Sequence, residues 1–143
     1  MKQAFWDTQI LVAWIDQETA MREMVEALVQ WQKKQRITTV TSSLSLAELL
    51  VRPIARGNAE MARKYGNVVK KMGCIDFGQS EALAFACIRN DHPDIAPPEC
   101  IQLACAMTHG VDYYFTTDKR LARYRVDGIG EIVHLKGWYD QQA

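Results

Sequence analysis

Four carboxylates in this sequence stand out because of their neighbours. Asp7 follows the apolar segment 3–6, and Asp118 follows the apolar segment 111–115 after two threonines. Glu48 lies inside Ser45-Leu46-Ala47-Glu48-Leu49-Leu50, and Glu99 sits between Pro98 and Cys100-Ile101. Taken singly, most have a structural use. Asp7 and Asp118 could each cap a following helix, and Glu99 suits the positive end of a helix dipole. Glu48, among leucines and away from a helix start, has the weakest such role. Acids gathered at one edge repel one another unless cations lie between them, so together they point to a divalent metal site. Ligands that are all oxygen favour Mg²⁺ or Mn²⁺ over zinc, and such ions bind phosphate readily. Zinc is further disfavoured because Cys74, Cys87, Cys100 and Cys105 form no C-x-x-C pair and the three histidines are far apart. These cysteines are expected to be reduced and packed among apolar neighbours.

For the acids to meet, strand ends must be brought together. Short apolar runs alternate with longer amphipathic stretches, the pattern of a parallel sheet with helices on both faces. Ligands in such sheets gather beyond the carboxyl ends of the strands, which is where Asp7 and Asp118 fall. Strands are expected at 3–6, 37–41, 111–115 and 131–135, with a brief apolar segment at 74–76. Helical spacing of Met21, Met24, Val25, Leu28 and Trp31 predicts a helix over 17–35. A second helix carries Leu46, Ala47, Leu49 and Leu50 and should stop near Pro53. Further helices are expected over 58–72, closed by Gly73, over 80–89, from Pro98 to a stop at Gly110, and over 119–124. The expected fold is a three-layer α/β/α sandwich around a mainly parallel central sheet of four to five strands.

At 143 residues and 48% apolar content, the chain fits one domain, residues 1–143, with a real core. The 17 basic and 17 acidic residues cancel, so a nucleic-acid surface would have to come from local segregation. Between residues 52 and 71 there are six basic residues, Arg52, Arg56, Arg63, Lys64, Lys70 and Lys71, against the single acid Glu60. A second group holds Lys119, Arg120, Arg123 and Arg125. Both are expected to adjoin the acids and to offer a rim for a phosphate backbone, against the alternative of solvated helix faces. The apolar stretch 8–15 is too short for a membrane span and is flanked by Asp7, Asp16 and Glu18, so neither export nor insertion is expected and a cytoplasmic location is. Trp14, Trp31, Tyr113, Tyr114 and Trp138 are expected to anchor cores and interfaces.

The segments Phe5-Trp6-Asp7-Thr8, Ser43-Leu44-Ser45-Leu46-Ala47-Glu48-Leu49, Pro98-Glu99-Cys100-Ile101-Gln102-Leu103-Ala104 and Phe115-Thr116-Thr117-Asp118-Lys119-Arg120-Leu121 resemble, in order and spacing, the acidic motifs of PIN-domain nucleases of the VapC type. That resemblance implies metal-dependent endoribonuclease activity, leaving 5′-phosphate and 3′-hydroxyl ends. It further implies that Asp7, Glu48 and Asp118 help hold Mg²⁺ or Mn²⁺, with Thr116 lending a hydroxyl; Glu99, at the family's remaining acidic position, is expected to be the fourth ligand. A cognate antitoxin and a homodimer are its implied partners. One position departs from the family, which usually has aspartate where this chain has Glu99. The extra methylene moves the carboxylate by about 1.5 Å, roughly one C–C bond. A catalytically weakened RNA- or protein-binding relative is therefore the alternative. A phosphoryl-transfer enzyme or receiver domain using Asp7 as acceptor is a weaker rival, because Gln9 occupies the second position of a D-x-D motif.

Overall fold

A computed structural model describes residues 1–16 and 20–142. Five strands form one all-parallel sheet: β1 (Gln3–Trp6), β2 (Thr38–Ser42), β3 (Gly73–Ile75), β4 (Tyr113–Thr116) and β5 (Glu131–His134). Their order across the sheet is β3-β2-β1-β4-β5. Winding therefore runs outward on one side of β1 and then restarts on the other. Register is set by pairs such as Phe5 with Val40 and Phe5 with Tyr114.

The helices are α1 (Thr8–Ile15), α2 (Arg22–Gln35), α3 (Ser43–Ala55), α4 (Ala59–Lys71), α5 (Gln79–Asp91), α6 (Pro97–Thr108) and α7 (Leu135–Gln141). Strand side chains alternate between faces, so adjacent residues enter different cores. Phe5, Val40, Ile75, Tyr114 and Ile132 pack with Ala84 and Ile88 of α5 and with Leu103 and Ala104 of α6. Ala4, Trp6 and Phe115 face the other way, against Ile10 and Leu11 of α1, Val25 and Leu28 of α2, Leu49 of α3, Val69 of α4 and Leu135 of α7. The three-layer expectation holds, and the sheet is parallel throughout.

Several boundaries differ from expectation. The stretch 8–15 is helix α1, capped by Asp7; its apolar residues recur too densely to show one polar face. Of the helix expected over 17–35, residues 17–19 lie outside the described residues, and the described helix begins at Arg22. Helix α3 continues through Pro53 to Ala55, because a proline this close to the end removes only one bond of the last turn. Beyond it the Arg56 N–H still reaches the Arg52 carbonyl at 3.1 Å, and Gly57, at φ 64°, turns the chain away. The expected helix over 119–124 is only a 3-10 turn, Leu121–Arg123. β5 hands over at His134 to an unexpected α7, whose start is capped by the His134 ring accepting from the Gly137 N–H. Cys100 and Cys105 are buried as expected, but Cys74 and Cys87 are exposed.

Candidate active site

The reversal of winding lies between β1 and β4, where the loops leaving two neighbouring strands diverge and open a crevice. Asp7 and Asp118 leave those strands. Asp7 is the first residue after β1; its N–H donates to the Phe115 carbonyl at 3.2 Å, which ties it to β4. Its carboxylate caps α1, accepting from the Ile10 N–H at 3.2 Å. Loss of water around Asp7 outweighs donors that include the Thr116 hydroxyl and lifts its pKa to about 6.

Thr116 is the last residue of β4 and is buried. Besides donating to Asp7, its oxygen accepts from the Asp118 N–H at 3.0 Å, so one hydroxyl sets the position of two acids. The Asp118 carboxylate in turn accepts from the Arg120 N–H at 2.9 Å. Glu48 is exposed on α3 and accepts from the Thr8 hydroxyl at 2.7 Å. Glu99 is partly exposed in the first turn of α6, where Pro97 and Pro98 occupy positions whose N–H groups have no helical partner.

Asp7, Glu48 and Glu99 line one cavity of about 140 Å³, with Gln102 and Tyr114 in its walls. Tyr114 reports their convergence. Its phenol is pushed well above the usual range, first by burial and then by the charges of Asp7, Glu99, Cys105 and Glu48. Asp118 opens instead into an adjoining cavity of about 240 Å³, which it shares with Glu99, Arg120 and Tyr124. Glu99 is the acid common to both. The four acids thus reach one edge of the sheet in two adjoining cavities. Among the described residues, no three acidic, histidine or cysteine side chains stand close enough as placed to enclose an ion.

Of the two basic groups, Arg120 stands in the second cavity, beside Glu99 and Asp118. Arg63, Lys64 and Lys71 line a separate groove of about 560 Å³ along α4, into which none of the four acids opens. Tyr113, Trp31 and Trp138 pack edge-to-face or tilted against one another and the buried Phe115; the three are partly buried and line a groove of about 450 Å³. Tyr114 is also a core residue, stacked on Phe5 at 4.9 Å between ring centroids, yet it borders the cavity as well. Sequence reasoning missed that second position, and it missed a buried polar set of Ser42, Ser45 and Gln102 behind Thr8 and Glu48. The available signal was polar residues occupying core-facing helical positions.

A PIN domain family model matches residues 4–127. No curated protein is detectably similar in sequence. Among solved structures, VapBC2 from Rickettsia felis bound to a DNA fragment from its promoter shares 17% identity and a TM-score of 0.70, over 92% of this chain and 98% of that one. VapBC-5 from Mycobacterium tuberculosis, described as a member of the VapBC family of toxin-antitoxin systems, shares 17% identity and a TM-score of 0.60, over 94% of this chain and 99% of that one. VapC20 from the same organism, described as a Sarcin-Ricin loop cleaving toxin, shares 17% identity and a TM-score of 0.63, over 85% and 96%. At such identities the likeness is one of fold. Motif order, topology and family match agree, and this chain belongs to the PIN domain family.

Proposed function

We propose that this PIN domain is an endoribonuclease dependent on Mg²⁺ or Mn²⁺ and the toxin of a VapBC-type toxin-antitoxin pair. The observation carrying this reading is the cavity at the carboxyl edge of the sheet into which Asp7, Glu48 and Glu99 open, with Asp118 next door. All the donors are oxygens, which suits a hard divalent ion in kind. Asp7 supports the same reading, because a desolvated carboxylate is costly to ionise without a cation beside it. Asp7, Glu48, Glu99 and Asp118 are the residues that would hold the metal. Glu48 is held by the Thr8 hydroxyl, Asp7 by the Ile10 N–H and Thr116, and Glu99 is partly exposed in the first turn of α6. Held by these acids, such an ion would supply an activated water and a charge to offset that on the leaving oxygen. Arg120 offers a positive charge to the RNA backbone at the cavity rim.

The similarity to toxin-antitoxin complexes supports a cognate antitoxin that covers this edge, and the family resemblance supports a homodimer and 5′-phosphate products. A cytoplasmic site of action belongs to the same proposal. No helix among the described residues is long and apolar enough to cross a membrane. In the test, purified protein cleaves defined RNA with Mg²⁺ or Mn²⁺, and cleavage stops with EDTA and in Asp7→Asn. Cleavage that survives both treatments overturns the proposal.

A second reading is a weakened site in which Glu99 replaces the aspartate usual in the family, and Glu99 is the acid that lines both cavities. A Glu99→Asp variant distinguishes the two. A gain of about tenfold or more, the size of effect typical when a ligand shell is altered, identifies the native site as crippled.

A further inference from the structure

Behind the acidic cavity lies a polar network that the metal chemistry leaves unused. Gln102 is on α6, three residues beyond Glu99, and only 5% exposed. A buried amide must find partners for two N–H donors and a carbonyl. Here the Ser42 hydroxyl donates to the Gln102 Oε1. The Gln102 Nε2 donates to the Ser45 Oγ at 2.7 Å and to the Thr8 Oγ1 at 3.2 Å. The Thr8 and Ser45 hydroxyl oxygens are themselves 3.0 Å apart, and the Thr8 Oγ1 lies 2.7 Å from the Glu48 Oε1.

Counting hydrogens gives this network a direction. Thr8 has one hydroxyl hydrogen and two nearby acceptors, Ser45 at 3.0 Å and the Glu48 carboxylate at 2.7 Å. The carboxylate is the shorter contact and the stronger acceptor, so it takes the hydrogen. Ser45 already accepts from Gln102, and its own hydrogen then points to Thr8. Every donor in the chain, from Ser42 through Gln102 and Ser45 to Thr8, therefore points toward Glu48. An aligned chain of this kind strengthens each of its bonds.

We infer that Gln102 is a positioning residue for Glu48: its amide orients the Thr8 hydroxyl so that this hydroxyl donates to the Glu48 carboxylate and fixes it at the edge of the cavity. A glutamate at this position would have the same shape with no N–H to give. It would draw the Ser45 and Thr8 hydroxyls toward itself and release Glu48. This inference rests on the proposed metal-dependent nuclease reading, since Glu48 matters through its place among the acids.

The test compares wild type with Gln102→Glu, Gln102→Leu, Thr8→Val and the double variants. The readouts are Mn²⁺ binding by calorimetry, kcat and KM on a defined RNA, and melting without metal. The expected result for Gln102→Glu and for Thr8→Val is Mn²⁺ affinity and kcat each lower by about 10- to 100-fold, the range for residues that orient ligands, with KM for RNA unchanged. In the Thr8→Val background, replacing Gln102 should bring little further loss, because the connection to Glu48 is already cut. Additive losses in the double variants, or variants that melt earlier yet bind Mn²⁺ and turn over like wild type, overturn the inference and leave the nuclease reading standing. Wild type that neither binds Mn²⁺ nor cleaves RNA overturns both. Thr8→Val, at a surface-facing first turn, keeps the test decisive if the Gln102 variants fail to fold.

Discussion

Asp7→Asn should abolish cleavage and make the protein more stable at neutral pH. In the folded chain the Asp7 carboxyl has its pKa raised from 3.8 to about 6 by loss of solvent, against smaller opposing contributions from Thr116 and backbone N–H groups. Each pKa unit corresponds to about 1.4 kcal/mol, so the ionised group costs the fold up to roughly 3 kcal/mol above pH 6. Asparagine has no charge to desolvate and keeps an oxygen for the Ile10 N–H. Its amide group matches the Thr116 hydroxyl less well, which lowers the expected gain to about 1–3 kcal/mol. For a domain of this size that is roughly 3–9 °C in Tm. The pH dependence has a definite sign. Because the folded pKa is raised, wild type gains stability as pH falls through about 6, and the cost is gone below 3.8, where folded and unfolded chains are both protonated. The advantage of Asp7→Asn should therefore be full above pH 6 and vanish near pH 4. Thermal unfolding followed by circular dichroism across this interval, without divalent ions, measures it. An asparagine variant less stable than wild type at neutral pH, or a difference that does not change with pH, would refute the assignment of burial as the dominant influence on Asp7.

Glu81, buried at the start of α5, shows the opposite linkage: its pKa is lowered to about 2, chiefly by the Thr108 hydroxyl and also by the Gly78 N–H at 3.0 Å and the Ser80 hydroxyl at 2.9 Å. Its contribution is present above the ordinary value of 4.5 and is lost as pH falls toward 2, so Glu81→Gln should lower Tm by several degrees at neutral pH and converge with wild type in acid. A gap that persists in acid would count against this. Gly130→Ala should destabilise by about 1–3 kcal/mol, as overpacked sites do. The added Cβ would stand 2.4 Å from the Asp112 carbonyl, which accepts from the Glu131 N–H at 3.0 Å to set the β4–β5 register. Urea unfolding should give a lower midpoint with an unchanged m-value, and an unchanged midpoint would show that the loop relaxes freely.

The parts of the fold legible in the sequence were those with a clean period or a hard stop. The strand at 3–6, the helix closed by Gly73 and the helix opened by Pro98 were all visible, and the acids were found because each sits beside a buried run. Helix α1 was hidden for a physical reason: Ile10, Leu11 and Ala13 are all fully buried, and a segment so covered carries no amphipathic stripe. The C-terminal helix is short, has Gly137 inside it and is capped by a histidine ring, which is a weak sequence signal. Thr116 was legible through resemblance, whereas its bridging of Asp7 and Asp118 depends on side-chain direction. Gln102 was not singled out because a glutamine on an amphipathic helix ordinarily faces water. Only the arrival of Ser42, Ser45 and Thr8 from elsewhere in the chain makes that position polar inside.

The central place of β1 has a consequence for the timing of assembly. Asp7 is made long before Asp118, but the strand carrying it needs β2 on one side and β4 on the other, and β4 ends at Thr116. At elongation rates of about 5–20 residues per second, a nascent chain holds Asp7 and Glu48 for several seconds before their partners exist. The crevice cannot close until β4 and Asp118 have left the ribosome. A chain that stops short of β4 therefore carries Asp7 and Glu48 without the second wall of their crevice.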